Sequence, residues 1–132
     1  MVDKGVTVGT LQEVLDGMAQ LPTFLGIDHL EVNSVGDFGD YPIHVAAVRG
    51  DVDAVRVLIV NGAHLNAVGE HGYTALHEAV EQGNVDMVSL LIQSGADKTV
   101  ENTGGQTPFQ LSVDIDHYEI QKLLKGSNSR TT

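Results

Sequence analysis

One hexapeptide occurs three times. Gly39-Asp40-Tyr41-Pro42-Ile43-His44 returns 33 residues later as Gly72-Tyr73-Thr74-Ala75-Leu76-His77, and 33 residues beyond that as Gly105-Gln106-Thr107-Pro108-Phe109-Gln110. The register holds outside these segments. Gly50 pairs with Gly83, Val55 with Val88, Leu58 with Leu91, and Gly62-Ala63 with Gly95-Ala96. A fixed period of this length confines the chain to stacked units, each burying its apolar face on the next.

Each period spells helix, tight turn, helix. Pro42 suits a first helical position, where a missing N–H costs nothing, and Gly50 supplies a left-handed cap. The spacing predicts helices from Pro42 to Arg49 and from Val52 to Asn61, the latter turning Val55, Leu58 and Ile59 inward. Ala46 and Ala47 are small where neighbouring helices must approach. The full pattern of Gly, Thr, Pro, Leu and His, then small residues, an inter-helix Gly and a closing Gly-Ala, resembles the ankyrin repeat from Leu30 to Lys125. That resemblance implies an all-α solenoid of helix-turn-helix repeats with hairpin-like tips.

The expected repeats are 37–69, 70–102 and 103–126. The second is nearest to the pattern, with Ala75 in place of proline as its one lapse. The first has Tyr41 where the family threonine bonds the turn, which puts that bond in doubt. Tyr41 then either covers the junction with the preceding segment or joins a contact surface. The third has Gln110 for histidine and Asp116 for the inter-helix glycine, as expected of a C-terminal cap. Ile120, Leu123 and Leu124 mark its second helix, Lys122 and Lys125 fall near the helix end, and Gly126 is expected to close it.

Ahead of the repeats, Thr10 and Glu13 form a capping-box pattern that opens a helix from about Leu11 to Gln20. Pro22 opens a second short helix through about Leu25, ended by Gly26. Leu30-Glu31-Val32-Asn33 lies 33 residues before Ala63-His64-Leu65-Asn66, and Gly17 lies 33 before Gly50. Residues 10–36 therefore read as a divergent N-terminal cap repeat. Residues 1–9 and 127–132 carry no periodicity and are expected to be disordered ends.

The chain holds 18 acids against 7 bases, a net charge of −11, and has no Lys or Arg from Gly5 through Val48. Such a surface repels a phosphate backbone, which argues against nucleic acid and for a partner with a basic face. The absence of cysteine excludes disulfides, thiol catalysis and thiolate metal sites. No apolar run is long enough for a membrane span, and Met1 to Gly5 lack the basic start and continuous apolar stretch of a signal peptide. A soluble, monomeric, cytoplasmic protein without cofactor or metal is the expectation.

His44 and His77 fall on the family histidine that holds the turns, so with Gly50, Gly83, Gly62 and Gly95 they are assigned a structural role. His29, His64, His71 and His117 show no metal-ligand spacing. No serine sits in a nucleophile elbow, and no glycine cluster forms a phosphate loop. An enzyme built on carboxylates and His71 is the remote alternative.

The resemblance implies a protein-binding module whose partner meets the tips and the exposed side of each first helix. By position these are Asp37, Phe38 and Asp40; Glu70, His71 and Tyr73; and Thr103, Gly104 and Gln106. On the helices they are Val48 and Arg49, Glu81 and Gln82, Asp114 and Ile115. Phe38 and Tyr73 are aromatic where a structural repeat needs nothing apolar, the composition of a hot spot with a charged rim. Packing of Phe38 on Tyr41 or on the last residues of the N-terminal cap is the structural alternative. Occlusion of a target, as in an immunity-type inhibitor, and an adaptor linking two proteins both fit the sequence.

Overall fold

A computed structural model of the protein describes residues 9–129. Among them are seven α-helices and no strand: α1 (Leu11–Met18), α2 (Pro42–Arg49), α3 (Val52–Val60), α4 (Ala75–Glu81), α5 (Val85–Gln93), α6 (Pro108–Asp114) and α7 (Tyr118–Ser129). They form two rows. One row stacks α2 on α4 and α4 on α6; the other stacks α1 on α3, α3 on α5 and α5 on α7. Ala46, Ala47, Ala75 and Ala79 are fully buried and let the first row close up, while Val55, Leu58, Val88, Leu91 and Ile120 fill the space between rows.

Every helix of the second row starts the same way. Two residues before it, the chain takes a left-handed conformation: Gly9 (φ 93°), Gly50 (72°), Gly83 (68°) and Asp116 (59°). The residue after that turn caps the helix. Thr10, Asp51, Asn84 and His117 each accept from the backbone N–H three residues on, at 3.1, 3.0, 3.0 and 3.4 Å. Such a cap satisfies one of the donors that a helix start leaves without a partner.

This start corrects the reading of the N-terminal cap. The capping box of Thr10 and Glu13 is present, but α1 belongs to the second row, so the glycine equivalent to Gly50 is Gly9 and not Gly17. The reason is an insertion. Val52 to Ala75 and Val85 to Pro108 span the same interval, whereas Leu11 to Pro42 is eight residues longer. The extra residues hold a single 3-10 turn, Pro22–Phe24, whose Phe24 is buried. Downstream of the insertion the expected register returns. Asn33 accepts from His64 N–H at 2.9 Å, and one repeat later Asn66 accepts from Asp97 N–H at 2.7 Å.

The two glycines then predict opposite effects. A Cβ on Gly17 meets nothing within 4 Å, whereas one on Gly9 lies 2.8 Å from Glu13 Oε1 at a positive φ. Gly17→Ala is expected to raise stability by about 0.5 kcal/mol and Gly9→Ala to lower it by about 1 kcal/mol, measured by urea unfolding.

The far end also departs from expectation. Helix α7 passes through Gly126 and runs to Ser129, because a helical glycine costs only about 1 kcal/mol and does not force a stop. Lys122 and Lys125 consequently stand a turn or more before its end. Of the expected disordered ends, residues 1–8 and 130–132 lie outside the described residues. In the third repeat Gln110 takes over part of the missing histidine's role, its Oε1 accepting from Thr107 N–H at 2.9 Å.

Candidate functional site

The two family histidines fix the first-row helices to the tips. Thr74 N–H donates to His77 Nδ1 at 3.1 Å, so this nitrogen is the acceptor and Nε2 carries the proton. Nε2–H then donates to Gln106 O of the next repeat at 2.9 Å. His44 likewise accepts from Tyr41 N–H (2.9 Å), but its Nε2 bonds Ala67 O (2.9 Å) within its own repeat. Burial, the larger effect, lowers both imidazole pKa values despite these carbonyls, which keeps the rings neutral at pH 7.

The tips are joined to one another. Glu70 N–H donates to Asp40 Oδ1 at 3.0 Å, and Thr103 N–H donates to His71 O at 3.0 Å. Each tip closes on itself through one repeated bond: Gly36 to Asp40 O (2.8 Å), Gly69 to Tyr73 O (2.8 Å) and Asn102 to Gln106 O (2.9 Å). The chain leaving each tip lies along the exposed side of the following helix. Tyr73 Oη donates to Glu81 Oε2 at 3.4 Å, and at the equivalent place Gln106 Nε2 donates to Asp114 Oδ2. Tips and first-row helices thus make one continuous front face.

Most of the predicted contact residues are exposed on this face: Asp37, Phe38, Arg49, Glu70, His71, Glu81 and Gln82. Phe38 is 60% exposed. Tyr41 lies against the rings of His44 and His64, next to the Asn33 contact, and so covers the junction with the N-terminal segment. Asp40 is half-buried. Tyr73 does not project as a tip aromatic would; its ring rests on His77 with centroids 5.3 Å apart. The protruding residue of that tip is His71, held at φ 62° beside Glu70.

One residue of the face was not singled out from the sequence. Glu78 on α4 stands one repeat on from Val45, a half-buried position. Burial, followed by the charges of Asp40, Glu81 and Glu70, pushes its carboxyl pKa up to about 7. The available signal was the period itself, which places an acid at a half-apolar register.

Among the described residues no group of three or more histidines and carboxylates is placed to hold a metal, and no helix is long and apolar enough to cross a membrane. A family model described as ankyrin repeats (3 copies) matches residues 14–102. The chain belongs to the ankyrin repeat family. The match begins inside α1, in keeping with a first ankyrin unit represented by its second helix. Ankyrin repeats are protein–protein interaction modules and typically non-enzymatic. No curated protein shows significant similarity to the chain.

Proposed function

We propose that the protein binds a partner with a basic surface across this front face and acts by covering it, as an immunity-type inhibitor does. One observation carries the reading: the tips and first row are the more acidic side, with six acids against one base, whereas α1, α3, α5 and α7 hold five acids (Glu13, Asp16, Asp53, Asp86 and Glu119) against three bases. Asp37, Asp40, Glu70, Glu78, Glu81 and Asp114 all belong to the tips and first row, where Arg49 is the one base among the described residues. The other described bases lie elsewhere: Arg56 on α3, Lys98 in the loop after α5, and Lys122 and Lys125 on α7. An acidic face of this kind steers a basic surface toward itself and selects against acidic ones. Phe38, exposed among the acids, supplies the apolar anchor.

The test uses exposed residues only, so that folding is preserved. With the partner captured by wild-type protein, Phe38→Ala combined with Glu81→Gln is expected to weaken binding at least tenfold, mainly through dissociation for the first change and association for the second. Tyr73→Ala is unsuitable because it removes the ring stacked on His77. Unchanged affinity in the double variant contradicts the reading. A partner that keeps its own activity in the complex contradicts occlusion while leaving the binding face in place.

A further inference from the structure

The inserted turn creates a feature that the repeats alone do not have. In the first row, α4 is covered by α2 and α6 by α4, but α2 has no first-row helix on its N-terminal side among the described residues. The turn Pro22–Phe24 approaches it instead and leaves a cleft of about 340 Å³. Leu21, Pro22, Val45 and Val48 line it with apolar surface; Asp40 stands at one end of α2 and Arg49 at the other. Its volume accommodates a large side chain such as leucine or phenylalanine.

The next step along the row is acidic in the same register. Glu78 follows Val45 by one period and Glu81 follows Val48. Asp40 connects the two steps, since it lines the cleft and is the charge that acts most strongly on Glu78. The charges bearing on Glu78 are negative, from Asp40, Glu81 and Glu70. A cation placed among them relieves their repulsion and pairs with a carboxylate that is partly removed from water.

We propose that the cleft beside α2 and the acidic step on α4 form one docking groove for an extended protein segment carrying a large apolar side chain and, three residues away, a lysine or arginine. The spacing follows from geometry. Packed helices lie about 8–10 Å apart, and an extended chain advances about 3.3 Å per residue, so three residues cover one step. Arg49, at the opposite end of α2 from Asp40, disfavours a cation in the cleft itself. This inference rests on the front-face reading and specifies the segment that the face would take.

The test is selection of a random dodecapeptide display library on the full-length protein, followed by affinity measurement of the enriched peptides. Enriched sequences are expected to share an apolar residue with Lys or Arg three positions away. Val48→Asp and Glu78→Gln, each checked for folding by circular dichroism, are expected to weaken these peptides about tenfold, and Asp86→Asn, exposed on α5 of the other row, to change them little; Phe38→Ala is measured alongside. Val48 is 43% exposed and the Glu78 change is nearly isosteric, so both variants are expected to fold. Enriched peptides without the basic residue, or held equally by both variants, overturn the groove. Peptides that depend on Phe38 alone overturn it while leaving the front-face reading intact. Failure to enrich any peptide also overturns it, and the front face is then judged on the captured partner alone.

Discussion

His77→Ala is expected to destabilise the protein by about 3 kcal/mol and to lower its melting temperature by roughly 10 °C. The ring is fully buried, and it satisfies groups in two repeats at once. Without it, the buried Thr74 N–H loses its acceptor, which costs about 1–3 kcal/mol, and Gln106 O loses one of its two donors, keeping Asn102 N–H. The cavity adds to this. His77→Gln is the informative control, because Gln110 already performs half of the task in the third repeat. It should recover the bond to Thr74 N–H and lie between alanine and wild type. Equal stability of the alanine variant and wild type in urea would contradict the role assigned to the ring. The histidines also set the acid limit. Their folded pKa values lie below the ordinary 6.5, so their contribution is present above pH 6.5 and is lost as pH falls through the lowered values.

Glu78→Gln is expected to act in the opposite sense and at the other end of the pH range. The Glu78 carboxyl is raised from 4.5 to about 7 in the folded protein, so between these values the folded state holds a proton that the unfolded state has released. Stability therefore falls as pH rises from about 4.5 through 7. Glutamine cannot ionise and removes the loss. The variant should match wild type near pH 4 and exceed it at pH 8 by about 1–2 kcal/mol, less than the full pKa difference because part of the group is screened by water. Parallel urea midpoints across that range would contradict the buried position of the carboxyl.

The repeats were legible in the sequence because their constraints are local. Gly50 and Gly83 stand at left-handed turns, Pro42 and Pro108 open helices, and Thr74, Thr107 and His77 make cap bonds within three or four residues. Counting by 33 also placed Asn33 against Asn66, since that contact lies beyond the insertion. The same counting failed at Gly17. An eight-residue insertion shifts α1 from the register of a first helix to that of a second. Thr10 and Glu13 give the start of α1 but not its row, which is decided by packing against α3. The fate of Tyr73 was hidden for a related reason. Position 73 is Asp40 and Gln106 in the neighbouring repeats, neither of them aromatic, so the period gave no sign that a ring here would rest on His77 with its hydroxyl on Glu81. Glu78 was overlooked because an exposed glutamate and a half-buried one look alike in a sequence. The charges that act on it come from Asp40 and Glu70, which belong to separate tips, and from Glu81 on its own helix.

The central claim is that the tips and first-row helices are the binding face. Hydrogen–deuterium exchange of the protein alone and in complex with its captured partner tests it most directly. The claim predicts slower exchange in the complex at 36–41 and 69–73, with the outward sides of α3, α5 and α7 unchanged. Slowing confined to α3, α5 and α7, with the tips exchanging as in the free protein, would place the partner on the opposite side and contradict it.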